Sequence, residues 1–232
     1  MLALTTHRAM FAAGALVLCA RAFGLSLADI TNQDAVQGLK DALVQSSGKA
    51  VSQLSAENGF LGNNEVKIPL PDSLRRIEST LRLIGMGRQA DELVTSMNRA
   101  AEMAVKEATP LLVDSVKKMS VQDAKGILTG GDDAATQYFK RTTSDALAQR
   151  FLPIVQQMTS KVQLAEQYNH LAGRAAQFGF ISQEDANIDH YVTRKALDGL
   201  YLVMAEQERA IRKDPVSAAT SVAKRVFGAL VK

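Results

Sequence analysis

The chain has 232 residues, of which 47% are apolar and 22% charged, and its basic residues outnumber its acidic ones by three. That composition suffices for one compact domain and excludes a disordered or collagen-like chain. The near balance of charge, with 5% aromatic residues and no tryptophan, argues against nucleic acid as a partner. Phosphate binding needs clustered cations and base stacking needs aromatic rings.

The N-terminus carries the pattern of an export signal. Residues 9–20 (AMFAAGALVLCA) form an uninterrupted small and apolar run, with Arg8 before it and Arg21 after it. A run of twelve is shorter than the roughly 20 residues that a membrane-spanning helix needs. A short apolar run between basic residues is typical of a signal peptide.

Cleavage is expected to remove residues 1–22 and to leave a periplasmic or secreted chain that starts at Phe23, without a transmembrane segment. Cleavage before Asp29 also fits the spacing of small residues. The single cysteine, Cys19, is then lost, which excludes disulfides, thiolate metal sites and thiol catalysis. Leu18 is larger than the residue that precedes an acylated cysteine, so the pattern disfavours a lipoprotein. The mature chain keeps 25 basic and 24 acidic residues, which weakens nucleic-acid binding further.

Apolar residues recur at spacings of three and four in nearly every segment, whereas alternating runs are almost absent. This period predicts an all-α protein. The first helix is expected over about 33–57. Residues 58–70 (NGFLGNNEVKIPL) are rich in glycine and asparagine, which predicts an ordered loop or a short extended piece.

The next segments predict two helices and a restart. Pro71 suits the first turn of a helix. Four residues of that helix fall on one apolar face: Leu74, Ile77, Leu81 and Ile84. A third helix should bury a stripe from Ala90 to Ala108, and Pro110 should kink or restart it.

Capping residues mark the start of the following helices. Ser120 and Asp123 have the spacing of a capping box, and Asp132 or Asp133 should start another helix after a Thr-Gly-Gly turn. A separate, longer helix is expected from Thr143 or Ser144 through residue 171, with a bend at residue 153.

The last part of the chain predicts two more helices. Ser182 and Asp185 form a second capping-box pattern, opening a helix to about Lys213. Asp214 and Pro215 should cap and start a final helix. The whole pattern predicts one irregular helical bundle of about eight helices in a single domain over residues 23–232.

Four stretches of the sequence resemble a known family, domain of unknown function 4197. They are GFLGNNEVKIPLPDSLRRIESTL (59–81), ILTGGDDAATQYFKRTT (127–143), HYVTRKALDGLY (190–201) and IRKDPV (211–216). The resemblance covers about residues 25–232. It implies an exported, mainly helical protein of Gram-negative bacteria with no assigned activity, and it supplies no catalytic residues.

The turn that contains Asp132 and Asp133 is one candidate site. Two glycines precede the two carboxylates, which gather at a predicted helix start. A phosphate ligand is disfavoured because two carboxylates repel an anion. The alternatives are a structural N-cap and a site for a cation or a partner.

Two histidines remain in the mature chain, His170 and His190. Glu166 lies four residues before the first, and Asp189 adjoins the second. An antiparallel pairing of the two helices would bring them together for metal binding or acid–base chemistry. The alternative is a pair of surface or core-edge histidines, since no H-E-x-x-H motif is present. No metal or cofactor is therefore assigned.

A cluster of aromatic and basic residues could line a groove for an anionic ligand. Its members are Tyr138, Phe139, Lys140 and Arg141 on one helix, with Tyr191 and Arg194 on another. The alternative is that the rings belong to the core and the cations to the solvated surface. The predicted terminal helix, 216–232, has an apolar face with cations outside it, which fits either the bundle or a membrane surface.

Together these patterns favour an exported, non-catalytic binding protein whose partner is an envelope or periplasmic protein. One alternative is a metal-dependent periplasmic hydrolase that uses Asp132, Asp133, His170 and His190. The other is a peripheral membrane or lipid-binding protein that uses the terminal helix.

Overall fold

Helices make up most of the part of the chain that the computed structural model describes, residues 32–178 and 185–214. Within those ranges there are nine helices and no strand, which confirms the all-α class. The helices are α1 (Asn32–Ser55), α2 (Asp72–Arg76), α3 (Glu78–Leu83), α4 (Gly87–Val105), α5 (Ala108–Lys118), α6 (Val121–Thr129), α7 (Ala134–Thr159), α8 (Gln163–Gln177) and α9 (Ile188–Lys213).

The centre of the bundle consists of α4, α7 and α9. Helix α7 packs along both α4 and α9, while α1 packs on α9 and α5. Helices α7 and α9 have 26 residues each, so each is about 39 Å long. The largest fully buried side chains include Leu93, Met97, Phe139, Phe151 and Leu200. Each contributes about 1.5–3 kcal/mol by leaving water.

Several predicted helix ends are confirmed. Ser120 and Asp123 form the capping box of α6: the Ser120 hydroxyl accepts from the Asp123 N–H at 3.1 Å, and the Asp123 carboxylate accepts from the Ser120 N–H at 3.2 Å. Pro110 lies in the first turn of α5, where its missing N–H has no intrahelical partner to lose. Residues 58–70 form an ordered loop.

The prediction of a new helix at Thr143 or Ser144 was wrong, because α7 continues unbroken through both residues. Their hydroxyls do not cap a helix end. They donate to carbonyls one turn back, Phe139 O at 2.7 Å and Lys140 O at 2.6 Å, and both contact the Tyr201 hydroxyl. A bond to the preceding turn, joined to a partner on α9, satisfies a mid-helix hydroxyl without ending the helix.

The predicted continuation of this helix through residue 171 was also wrong. Helix α7 ends at Thr159, and α8 begins at Gln163. The Thr159 hydroxyl donates to Asp189 at the start of α9, and Val162 turns back into the core with 5% exposure. These two contacts hold the corner between the helices.

The apolar face predicted after Pro71 is only half buried. The segment divides into α2 and α3 at Ile77, whose backbone (φ −107°, ψ 8°) leaves helical geometry. Leu74 and Leu81 are buried, whereas Ile77 and Ile84 are 47% and 65% exposed. The break therefore leaves two large apolar side chains at the surface.

Three predicted features lie wholly or partly outside the described residues, and the first is the signal peptide over residues 1–22. The other two are the Ser182 member of the second capping box and the terminal helix over 216–232. Helix α9 begins after Asn187, whose side chain accepts from the N–H groups of Asp189 and His190. In the described ranges, no helix has the length and apolar character needed to cross a membrane.

Candidate functional site

The turn before α7 is capped by a residue from another helix. Asp132 is exposed, and Asp133 accepts from the Gln137 side chain at 2.9 Å. Asp133 is the N-cap residue by position, which confirms the predicted helix start, but its side chain forms no capping hydrogen bond. The Glu208 carboxylate of α9 accepts from the Ala135 and Thr136 N–H groups, each at 2.9 Å.

Glu208 is the centre of a buried polar cluster. It is 6% exposed, and it also accepts from the Thr136 hydroxyl at 2.9 Å. Arg212 pairs with it at 2.8 Å and donates to Ile127 O at 2.9 Å. One carboxylate and one guanidinium thus join α6, α7 and α9. A negative charge is favourable there because the N–H groups and the dipole of α7 point toward it.

The structure does not bring the two histidines into a cluster of metal-binding side chains among the described residues. His170 lies on α8, His190 lies on α9, and both are exposed, as is Glu166. Asp189 accepts from the Thr159 hydroxyl. Over residues 32–178 and 185–214, no three histidine, aspartate, glutamate or cysteine side chains gather where a metal ion could be held.

Tyr138 and Arg141 line a cavity between α5, α6 and α7. The Tyr138 ring is 5% exposed, and its hydroxyl donates to Ser115 O at 2.9 Å. The Arg141 guanidinium lies 5.6 Å from the ring centroid and 3.5 Å from Asp123. Tyr138 and Arg141, which form one half of the predicted aromatic and basic cluster, therefore contact α5 and α6.

Tyr191 and Arg194 lie elsewhere, near the start of α9. The Tyr191 hydroxyl donates to Pro69 O at 3.1 Å, and Arg194 lies 5.8 Å from the ring centroid and pairs with Asp185. Burial, followed by the charge of Asp72, raises the pKa of Tyr191 to about 12. The structure thus separates Tyr191 and Arg194 from Tyr138 and Arg141.

A groove between α7 and α9 does bring some of the predicted residues together. Its volume is about 300 Å³. The residues that line it include Lys140 of α7 and His190, Arg194 and Tyr201 of α9. The groove therefore contains a basic residue from each half of the predicted cluster.

A second groove, between α2–α3 and α8, is mostly apolar and has a volume of about 410 Å³. The sequence did not predict it. Leu74, Ile77 and Leu81 line one side, and Leu164 and Leu171 line the other. Ile77 is 47% exposed and Leu171 is 66% exposed. The sequence signal for this groove was the apolar helical face predicted after Pro71. Leu74 and Leu81 of that face are buried, whereas Ile77 is exposed.

The loop between α1 and α2 is fixed by polar side chains of α4. Glu102 is 4% exposed and accepts from the Phe60 and Leu61 N–H groups at 3.1 and 3.2 Å. Arg99 donates to the other Glu102 oxygen at 2.7 Å. The buried carboxylate therefore has partners for both oxygens, as burial requires.

A second α4 residue fixes the far end of the same loop. Asn98 is fully buried, accepts from the Ile68 N–H at 2.8 Å and donates to Ile68 O at 2.9 Å. On the other side, Gly199 of α9 approaches the Phe60 ring so closely that an added Cβ would lie 2.7 Å from it. The loop is therefore packed between α4 and α9.

A family model described as "Protein of unknown function (DUF4197)" matches residues 29–228. The chain belongs to this family. No curated protein and no solved structure matches it. Each of the four stretches that carry the resemblance supplies one of the buried contacts above, from Phe60, Thr136, Gly199 and Arg212. In this member of the family those residues hold the bundle together.

Proposed function

We propose that this chain is an exported, non-catalytic binding protein that holds an amphipathic helix of an envelope protein in the groove between α2–α3 and α8. The observation that carries the proposal is the exposure of apolar side chains along that groove. The apolar run over residues 9–20 supports export.

The groove exposes apolar area that a partner would cover. Ile77 and Leu171 lie on opposite sides, 47% and 66% exposed. Burial of a side chain of this size contributes about 1.5–3 kcal/mol relative to full exposure. Exposed apolar side chains that cluster, unlike scattered ones, are typical of interaction sites.

The shape of the groove fits a helix. On α8 its lining residues are Leu164, Gln167, Tyr168, Leu171, Ala172 and Ala175. They follow the three- and four-residue spacing of one helix face and span eleven helical steps, from Leu164 to Ala175, or about 16 Å. A partner helix would place apolar residues three and four apart against this row over about three turns.

Two arginines beside the groove favour a partner with acidic residues. Arg76 adjoins Ile77, and Arg174 lies on the exposed row of α8 next to Leu171. Neither forms an ion pair with a described residue, whereas Arg75 pairs with Asp72. One acid, Glu166, lies at the start of that α8 row. A partner helix with acidic residues on its flanks would pair with the two arginines.

Site-specific photo-crosslinking tests the proposal in cells that produce the full chain. A photoreactive phenylalanine analogue replaces Ile77 in the groove or, as the matched control, Val121, which is 55% exposed on α6. We expect a crosslink from the first position only, to a peptide of an exported protein. That peptide should have apolar residues at helical spacing and acidic flanks.

Binding of the synthetic form of that peptide then tests the groove by fluorescence anisotropy. We expect Leu171→Asp to weaken binding at least about tenfold, because a charged carboxylate would lose water in an apolar interface, and Val121→Asp to leave it unchanged. Crosslinks to a second copy of this chain or to lipid would overturn the proposal. So would equal effects of the two substitutions.

A further inference from the structure

We propose that α2 and α3 form a lid, residues 72–84, which opens as a unit by pivoting at Gly85 and so controls access to the α2–α3/α8 groove. The role of the lid at the groove rests on the proposed function, because that function supplies the occupant. The opening itself is a property of this chain alone, and it is measured without a partner.

The lid buries little apolar surface. Within the described chain, α2 buries Leu74 and α3 buries Leu81, whereas α8 on the other side of the groove buries five residues. Leu83 and Ile84, at the end of α3, are 87% and 65% exposed. Segments with few buried apolar contacts open at the lowest free energy. The lid is therefore the less stable of the two sides of the groove.

The two helices of the lid are not stable by themselves. Helix α2 has five residues and α3 has six, fewer than the roughly 12–15 residues that an isolated helix needs in water. Their N-cap residues, Pro71 and Ile77, have no side-chain acceptor for the first N–H groups. Contacts with the rest of the chain therefore hold both helices in place.

Both ends of the lid are attached to well-packed parts of the chain. Before it, the Tyr191 hydroxyl donates to Pro69 O at 3.1 Å, and after it α4 begins at Gly87. Gly85, between α3 and α4, has a φ of 83°, and nothing lies within 4 Å of the place where its Cβ would be. Glycine changes its backbone angles at little steric cost. Gly85 is therefore suited to act as the hinge.

Two polar contacts hold the lid closed. In α2, the Ser73 hydroxyl donates to the Tyr168 hydroxyl of α8 at 2.9 Å, since Tyr168 donates its own proton to Asp185 O. In α3, the Arg82 guanidinium donates to both oxygens of Asp91 on α4, at 2.7 and 3.2 Å. The other ion pairs described for the lid join two of its own residues. They do not tie it to its neighbours.

The Arg82–Asp91 ion pair makes the lid sensitive to salt. Its two side chains are 47% and 63% exposed. Ion pairs at the surface contribute little to stability, and dissolved salt screens them. The bidentate geometry strengthens this pair relative to most surface pairs, so its loss should be measurable. The lid should therefore open more often as the ionic strength rises.

Amide hydrogen exchange followed by NMR on the full chain tests the opening. The amides of Leu81 and Ile84 donate to carbonyls one turn back, and we expect them to exchange at least about tenfold faster than the amides in the middle of α4 after correction for intrinsic rates. Asp91→Asn should speed their exchange about twofold to fivefold, the effect of one exposed ion pair. Raising NaCl from about 0.05 to about 0.5 M should speed it in the parent but not in Asp91→Asn.

Asp114→Asn is the matched control. Asp114 forms an exposed ion pair with Lys118 at 2.6 Å, on α5 and away from the lid. The substitution removes the same kind of charge from the same kind of pair. We expect it to leave the exchange of Leu81 and Ile84 unchanged.

Thiol labelling connects the opening to the groove. Ala172 of α8 lines the groove and is 5% exposed. Cys19→Ala first removes the one cysteine of the chain, and Ala172→Cys then introduces a thiol that a maleimide can reach when the lid is open. We expect Asp91→Asn to raise its labelling rate about twofold to fivefold. A thiol introduced by Leu171→Cys, at an exposed position, should react quickly and at one rate in both backgrounds.

Three results would overturn the lid. One is protection of Leu81 and Ile84 equal to that of α4. The second is an equal acceleration of exchange in α4 and α9 by Asp91→Asn, which would show general loosening of the bundle. The third is a labelling rate for Ala172→Cys that Asp91→Asn does not change, which would show that the lid does not cover the groove. If these tests succeed and the crosslinking experiment finds no partner, the lid stands and the proposed occupant fails.

Discussion

Replacement of Glu208 by glutamine tests the interpretation of the turn before α7 as structural. The substitution keeps the length of the side chain and removes its charge. Glu208 accepts three hydrogen bonds, each at 2.9 Å, from Ala135 and Thr136, and it pairs with Arg212. A glutamine oxygen can replace only some of these interactions, and its NH₂ group would face another donor.

The expected cost follows from burial. Glu208 and Arg212 have side-chain exposures of 6% and 12%, so solvent screens their interaction little. Hydrogen bonds to a charged group contribute about 1.5–3 kcal/mol each, and removing one member of a buried pair costs about 3–5 kcal/mol. Because glutamine keeps part of the network, we expect a loss of about 3 kcal/mol in the free energy of unfolding. For a chain of this size, that lowers the unfolding temperature by about 6–12 °C.

Urea and thermal unfolding followed by circular dichroism at 222 nm measure this cost. Glu92→Gln is the control, since Glu92 is exposed on α4 and should change stability by no more than about 0.5 kcal/mol. A loss below about 1 kcal/mol for Glu208→Gln would refute the reasoning. In a double-mutant cycle with Arg212→Gln, the two losses should be far from additive.

Three further predictions concern the loop and the start of α9. Gly199→Ala should lower stability by about 1–3 kcal/mol in urea unfolding through overpacking, whereas Gly173→Ala, with no atom near the new Cβ, should raise it by up to about 1 kcal/mol. Burial and then the Glu65 carboxylate raise the pKa of Glu206. The folded state therefore favours the protonated side chain, and this contribution to stability is lost as pH rises through the raised pKa. Glu206→Gln should unfold at a higher urea concentration than the parent at pH 7 but not at pH 4. Tyr191 has a pKa of about 12, above the ordinary value, so stability should fall as pH rises from about 10 to 12, and Tyr191→Phe should reduce that fall in urea unfolding.

Local patterns predicted the helices well where the physical cause was also local. The capping box at Ser120 and the restart at Pro110 depend on neighbours within one turn, so the sequence was enough to place them. The Thr143 hydroxyl within α7 also contacts the Tyr201 hydroxyl, 58 positions away. No periodicity in the segment around Thr143 could have indicated that partner.

For the candidate sites too, the sequence predicted local features but not the contacts with distant residues. The sequence selected Asp132 and Asp133 because they precede a helix, whereas the cap comes from Glu208 on α9. A signal was present, since Glu208 lies at helical spacing between the buried residues Met204 and Ile211. A carboxylate on an apolar stripe indicates a buried partner. It does not say which helix supplies that partner.

The loop between α1 and α2 also has a fixed length. The Phe60 N–H donates to Glu102 and the Ile68 N–H donates to Asn98. The loop between Phe60 and Ile68 is therefore held at both ends by two α4 residues that lie about 6 Å apart along the helix axis. Adding or deleting one residue between the anchors would leave one buried polar side chain without its partner. Surface loops usually accept such changes in length over evolution, but this loop should accept substitutions at its exposed positions and reject insertions and deletions.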